Sequence, residues 1–226
     1  MSNIIGRREL LALAGTAVAA STLGAEPAVP AQPAKKIVGI SCSPRKGKTT
    51  VEAVKICLDA AKEHVPALEV ELVDIAELNI PAYIAAGLPL REGEKDDFPA
   101  LQARLEDPQL VGVIIGSPVY FGNMSALCKA FLDRCTALRA NHFKWRNKIA
   151  GAVAVGSTRN GGQELTIQCI RTALSGQDMI TVGTGQPSVR IGATLWNQDN
   201  SIAHDEFGIG TAKDLGRNVA ELATKG

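Results

Sequence analysis

The sequence is poor in aromatic side chains: 226 residues hold two Trp, two Tyr and five Phe, 4% in all. That excludes a base-stacking platform for single-stranded nucleic acid, which needs ring after ring along a groove. Charge imbalance is also missing, with 24 Lys and Arg against 23 Asp and Glu and a formal net charge of +1. No global field draws such a chain to nucleic acid or to an acidic membrane. The five cysteines (Cys42, Cys57, Cys128, Cys135, Cys169) form no C-x-x-C pair, and their number is odd. A zinc ribbon and a disulfide framework are therefore not expected. Buried thiols acting as small apolar residues are expected instead. The three histidines, His64, His142 and His204, have no metal-ligand spacing. No apolar run reaches the ~20 residues of a bilayer span, so stable membrane insertion is not expected.

The first 34 residues are unlike the rest. Arg7 and Arg8 precede Leu10 and Leu11, an Ala-, Leu-, Val-, Gly- and Thr-rich run follows to about Ala25, and residues 26–34 are rich in Pro and Ala. A positive start, a short apolar stretch and a small-residue end have the order of an export signal. The arginine pair with leucines just after it resembles a twin-arginine signal, with an ordinary secretory signal or a misassigned start site as the alternatives. The resemblance implies an exported, periplasmic protein that crosses the membrane already folded, commonly with a cofactor in place. Val29-Pro30-Ala31 is a candidate cleavage site; cutting there removes Arg7, Arg8, Glu9 and Glu26 and leaves the formal charge at +1. We divide the chain into a signal and linker, 1–34, and one domain, 35–226, a length that suits a single core.

Beyond residue 34 the pattern alternates. Residues 36–41 (KIVGIS), 68–74 (LEVELVD), 110–116 (LVGVIIG), 149–155 (IAGAVAV) and, more weakly, 179–182 read as strands. Residues 49–64, 125–138, 163–174 and 210–223 read as helices, and Asp96 and Asp97 read as caps for another over 98–105. Apolar-throughout strands alternating with helices imply a parallel sheet covered on both faces. The expectation is a flavodoxin-like α/β three-layer sandwich with a five-stranded parallel sheet of order 2-1-3-4-5. Such sheets bind ligands outside the carboxyl ends of their strands. Three loops leave those ends, at 42–50, 117–124 and 156–162, and all three are rich in Gly, Ser, Thr, Asn or Pro.

The first of these loops, CSPRKGKTT, ends like a triphosphate P-loop. That motif needs glycine where Cys42 stands and a metal-organising Asp at the end of a neighbouring strand. Pro44 also removes an amide donor from the wrap, and the strand over 110–116 runs into Ser117-Pro118, not Asp. A phosphate monoester fits better. Ser43, Thr49 and Thr50 offer hydroxyls, Arg45 and Lys48 offer charge, and the helix beginning near Thr49 offers its N-terminal dipole.

CSPRKGKTT resembles the phosphate loop of flavodoxin-like FMN reductases and the related iron–sulfur flavoproteins, and GSPVYFGNMSALCKAFLDRC, residues 116–135, resembles their flavin-ring loop and its helix. The resemblance spans about residues 36–222. It implies FMN as cofactor, its phosphate held by Ser43, Arg45, Lys48, Thr49 and Thr50. It places Pro118, Val119, Tyr120, Phe121, Gly122, Asn123 and Met124 along the isoalloxazine, with Ser157, Arg159, Asn160, Gly161 and Gly162 closing the other side. It implies NAD(P)H as a possible electron donor, a homo-oligomer (dimer or tetramer), and no catalytic residue beyond the flavin. The relatives' cysteine cluster lies between strands two and three; here residues 79–90 contain no cysteine, and a cluster needs about four thiolates. No iron–sulfur cluster is expected. The function expected is an exported FMN-dependent oxidoreductase of the NAD(P)H:FMN/quinone reductase type, passing electrons to a quinone, flavin or similar acceptor. The alternative is a flavodoxin-like electron carrier that docks a redox protein partner. Lys129 and Asp133 are expected to pair along a helix, His204 and Asp205 to cap and dock the last helix, and His142 to lie on a surface loop or edge the substrate pocket. Whether Cys42 is a reactive thiol stays open at this point.

Overall fold

The computed structural model describes residues 33–225, so the export signal expected at the N-terminus lies outside the described residues. The chain runs β1 (Lys36–Ser41), α1 (Thr49–His64), β2 (Glu69–Asp74), a 3-10 turn (Ala82–Ala86), α2 (Phe98–Leu105) and β3 (Leu110–Pro118). It continues α3 (Ala126–Arg134), α4 (Thr136–Ala140), β4 (Ile149–Gly156), α5 (Gln163–Ser175), β5 (Ile180–Thr181), β6 (Ala193–Trp196) and α6 (Glu206–Thr224). All strand pairs are parallel, in the order β2-β1-β3-β4-β5, with β6 also on β4. The fold is flavodoxin-like.

The sheet is apolar on both faces because it is buried on both. In β3, Ile114 packs toward α1 and α6, while Val113 and Ile115 pack toward α2, α3, α4 and α5. Each such side chain contributes about 1.5–3 kcal/mol by leaving water. The α2–α5 side also holds the largest buried residue, Trp145; Phe131 lies 6.3 Å from Phe98 and 6.4 Å from Trp145. On the other face α6 lies directly on α1, since a Cβ at Gly216 would strike the Cys57 carbonyl.

Three details depart from expectation. The fifth strand position is shared: β5 pairs with Ile149 and Ala150, and β6 pairs with Val153 to Gly156. Residues 182–192 bulge out between them, and the four-residue β6 is too short to stand out as a periodic run. The helix expected over 125–138 is two segments, with Ser125 capping α3 through the Cys128 amide. The last helix starts earlier, at Glu206, where Asp205 accepts from the Gly208 amide; His204 is exposed.

Register aligns the sheet's carboxyl end. Ser41 lies opposite Asp74 and Gly116, Pro118 opposite Val155, and Trp196 opposite Gly156. The loops after β1, β3, β4 and β6 therefore leave the sheet at one level.

Candidate functional site

The loop after β1 is braced from outside and open within. Asp74 accepts from the Gly47 amide at 2.9 Å, and Glu77 pairs with Lys46. Asp74 thus holds the loop in shape, which answers the triphosphate reading: the carboxylate that motif wants for a metal is used on the backbone. The α1 N-cap, Lys48, provides no side-chain cap, so the amides of Thr49, Thr50 and Val51 have no acceptor among the described residues. The Thr49 and Thr50 side chains are buried and make no hydrogen bond among the described residues. Arg45 Nη1 donates to Asn200 Oδ1 at 2.7 Å. Free amides, two hydroxyls and two cations at a helix start suit a phosphate monoester.

The loop after β3 is pinned by Ser125. Its Oγ donates to the Cys42 carbonyl at 2.6 Å and accepts from the Cys128 amide at 3.0 Å, so phosphate loop and α3 share one hydroxyl. Tyr120 and Asn123 exchange backbone hydrogen bonds of 2.8 and 3.0 Å around Phe121 and Gly122, whose φ angles are +51° and +73°. This is a two-residue turn of the I′ kind. A phenylalanine in left-handed backbone is strained, and Phe121 is wholly exposed.

The loop after β4 is knitted by buried Gln163. Its Nε2 donates to Thr158 O at 2.6 Å and Leu195 O at 3.3 Å, and its Oε1 accepts from the Gly161 amide at 2.8 Å. Gly162, at φ +99°, touches the previous loop: a Cβ there would stand 2.9 Å from Gly122 Cα. The two loops meet glycine to glycine.

These loops enclose a pocket of about 360 Å³. Arg45 and Thr49 form one wall, Pro118, Val119 and Tyr120 a second, and Val155, Gly156 and Ser157 a third. The fourth, Asn197, was missed by sequence reasoning because it follows the short β6. Its backbone amide donates to Gly156 O at 2.8 Å, while its Oδ1 is buried without a partner among the described residues. A buried oxygen lacking a donor is costly, and here it borders an open pocket.

Ser43, Lys48 and Thr50 shape the first loop without lining this pocket, and Phe121, Gly122, Asn123 and Met124 form the turn beyond Tyr120. Arg159, Asn160 and Gly162 line a second, larger cavity, and Gly161 is tied to Gln163. Arg159 pairs with the buried Asp205, and desolvation lowers its pKa. Asp205 also accepts from the Trp196 amide at 2.7 Å. His142 lines neither cavity.

The remaining candidates are structural. Lys129 and Asp133 pair at 2.6 Å. Asp96 accepts from the Phe98 amide at 3.1 Å, as a cap should, and also takes a two-pronged pairing with buried Arg134 at 2.9 and 2.8 Å. Asp97 instead accepts from the Asn79 amide. Cys42, Cys128 and Cys135 are fully buried, and burial pushes the Cys42 and Cys135 thiols up, away from reactivity.

A pocket with a phosphate-suited helix start at one end and two close-set loops with an unpaired buried acceptor at the other suits FMN, whose ring carries an N–H donor. The fold and site define a flavodoxin-like flavoprotein. The chain matches the NADPH-dependent FMN reductase family over residues 35–194 and belongs to it; it is an FMN-dependent oxidoreductase. It is 38% identical to an iron-sulfur flavoprotein of Methanocaldococcus jannaschii, over 83% of this chain and 96% of that one. It is 31% identical to an NAD(P)H dehydrogenase (quinone) of Chromohalobacter salexigens, over 70% of this chain and 83% of that one. A flavodoxin, WrbA-like protein from Agrobacterium tumefaciens shares the fold with a TM-score of 0.59 at 19% identity, over 84% of this chain and 97% of that one.

Proposed function

We propose that this protein is an exported FMN reductase that takes electrons from a nicotinamide nucleotide and passes them to a quinone, a flavin or a similar acceptor. The observation that carries this reading is the four-walled pocket, with Asn197 Oδ1 unpaired beside it and uncapped α1 amides near Arg45 and Thr49. FMN, when bound, supplies the hydride and electron chemistry. The chain's own residues bind and orient. Arg45, Lys48, Thr49 and Thr50, with Ser43 bracing the Arg45 amide, would hold the phosphate. Pro118, Val119 and Tyr120 would lie against one side of the ring and Gly156 and Ser157 against another, with Phe121 to Met124 and Arg159 to Gly162 setting the loops' shape.

The reading includes no iron–sulfur cluster. Residues 79–90 carry no thiol, and the three neighbouring thiols of Cys42, Cys128 and Cys135 sit inside the core. Twin-arginine export suits this chain for a physical reason as well. Cys42, Cys57, Cys128 and Cys135 are free and buried, so a chain folded before export brings them shielded into an oxidising compartment. No helix among the described residues is long and apolar enough to cross a membrane. The exposed Tyr120 and Phe121 beside the pocket support a homo-oligomer, a dimer or tetramer, whose neighbour covers them; sedimentation velocity checks this.

Phe121 also favours a second reading, an electron carrier that presents this ring to a redox protein. Anaerobic titration of the purified, flavin-loaded protein separates the two. Rapid loss of the visible flavin bands on adding NADH or NADPH is the result for a reductase. Loss with dithionite alone is the result for a carrier. A colourless protein that takes up no added FMN would overturn both.

A further inference from the structure

The loop after β4 borders two cavities. Gly156 and Ser157 line the flavin pocket, and Arg159, Asn160 and Gly162 line the larger cavity of about 520 Å³. The far walls of that cavity come from the first turn of α5, from Arg190 in the bulge between β5 and β6, and from Phe207 in the first turn of α6. Phe207 is 51% exposed and Leu165 64%, so this cavity presents two large apolar side chains to solvent.

The polar groups are of two kinds. Arg159 and Arg190 lie 5.6 and 5.7 Å from the centre of the Phe207 ring. Arg159 is already neutralised by Asp205. The Arg190 guanidinium is exposed and has no hydrogen bond or ion pair among the described residues, so its charge is free. At the start of α5 the N-cap is Gly162, without a side-chain cap, and the amides of Gln163, Glu164 and Leu165 have no acceptor among the described residues. The Glu164 carboxylate stands on the same wall.

A simple anion would use Arg190 and the amides but meet Glu164. A plain aromatic would use Phe207 and Leu165 and leave the polar groups idle. A purine riboside phosphate uses all of them. Its phosphate suits Arg190 and the free amides, its ribose hydroxyls suit Glu164, and its flat base suits Phe207 and Leu165. We propose that this cavity binds the adenosine-phosphate end of the nicotinamide nucleotide donor. The proposal rests on the reductase reading above and adds where the donor is held: next to the flavin pocket, with one loop as the shared wall.

The test is a calorimetric titration of the FMN-loaded protein with adenosine 2′,5′-bisphosphate, AMP and inorganic pyrophosphate in turn. At least one of the two nucleotides binds, and the tighter one tells whether the 2′- or the 5′-phosphate sits on Arg190. Arg190→Ala weakens it at least about tenfold, the worth of one charge-assisted hydrogen bond. Arg190→Lys restores part of the loss, and Phe207→Ala weakens binding with Arg190 intact. In turnover, Arg190→Ala raises the KM for the nucleotide donor by a similar factor while flavin content stays at the wild-type level. Both side chains are exposed, so these variants fold. No binding of either nucleotide, equal binding by Arg190→Ala, or pyrophosphate competing as well as the nucleotide would overturn the proposal. A protein that binds the nucleotide fragment yet is bleached by neither NADH nor NADPH would keep the nucleotide site and overturn the reductase reading instead.

Discussion

Two tight turns border the flavin pocket, and they are built alike from unlike residues. Tyr120 to Asn123 and Gln198 to Ser201 each close with a reciprocal pair of backbone hydrogen bonds, and each puts both central residues at positive φ. The second uses Asp199 and Asn200, at +49° and +64°, residue types that tolerate left-handed backbone. The first uses Phe121, a residue type that does not. Asn200 then serves locally, holding Arg45, whereas the Phe121 ring touches solvent all round. The turn that is strained is the one that presents an aromatic beside the ring loop. Strain of this kind persists at sites where binding or chemistry needs it.

The comparison breaks first at Gly162, which pins the Phe121 turn from behind. Gly162→Val combines a disfavoured φ with a clash on Gly122 Cα. FMN affinity should fall about a hundredfold, corresponding to about 3 kcal/mol at the top of the range for backbone strain, as read by fluorescence titration. A variant that binds FMN normally would show that the two loops need not touch.

Asp96→Asn serves as the control far from both turns. It removes a charged pairing with Arg134 and should cost about 2 kcal/mol of stability near neutral pH, seen in urea unfolding, with FMN affinity unchanged. Its pH dependence has a definite sign. Burial raises the Asp96 pKa, but Arg134 and the Phe98 amide outweigh it, so the carboxyl is held below its usual value. Its contribution is full above the unfolded pKa of about 4 and is lost as pH falls through the lower folded value. The variant should therefore lose less stability than the wild type on acidification below about pH 4.

Asn197→Leu should separate binding from folding. Removing a buried, unpaired oxygen leaves the flavin-free protein as stable or slightly more so, while FMN affinity drops about tenfold, the worth of one hydrogen bond inside a pocket. Parallel loss of both would mean Asn197 is structural.

The smallest effect compares the turns directly. Phe121→Asn gives the Asn-Gly pair that such a turn prefers and should stabilise the flavin-free protein by about 1 kcal/mol, with turnover reduced. Asn200→Gly relieves no strain and loses only the exposed hydrogen bond to Arg45, so it should cost about 0.5 kcal/mol. Thermal melts of both variants show whether strain belongs to Phe121 alone.

How much of this was legible beforehand follows from length and locality. Strands such as β3 and β4 are long apolar runs, and the loops after them carry dense glycine and hydroxyl residues, so sheet order and three pocket walls were readable. β6 is four residues long and lies beyond a bulge, so neither it nor Asn197 carried a periodic signal. The pairing of Asp205 with Arg159, and of Asp96 with Arg134, joins residues 46 and 38 positions apart. No local pattern announces such contacts. Arg159 could be placed in the right loop by its neighbours, but its pairing with that distant carboxylate could not.

The most direct single measurement is a titration of flavin-free protein with FMN and, separately, with riboflavin, followed by quenching of flavin fluorescence. A pocket that begins at the uncapped start of α1 predicts one FMN per chain and riboflavin at least about a hundredfold weaker, because riboflavin lacks the phosphate that Arg45, Lys48 and the helix amides would hold. Equal affinity for the two, or no binding of either, would contradict the flavin site drawn from these four loops.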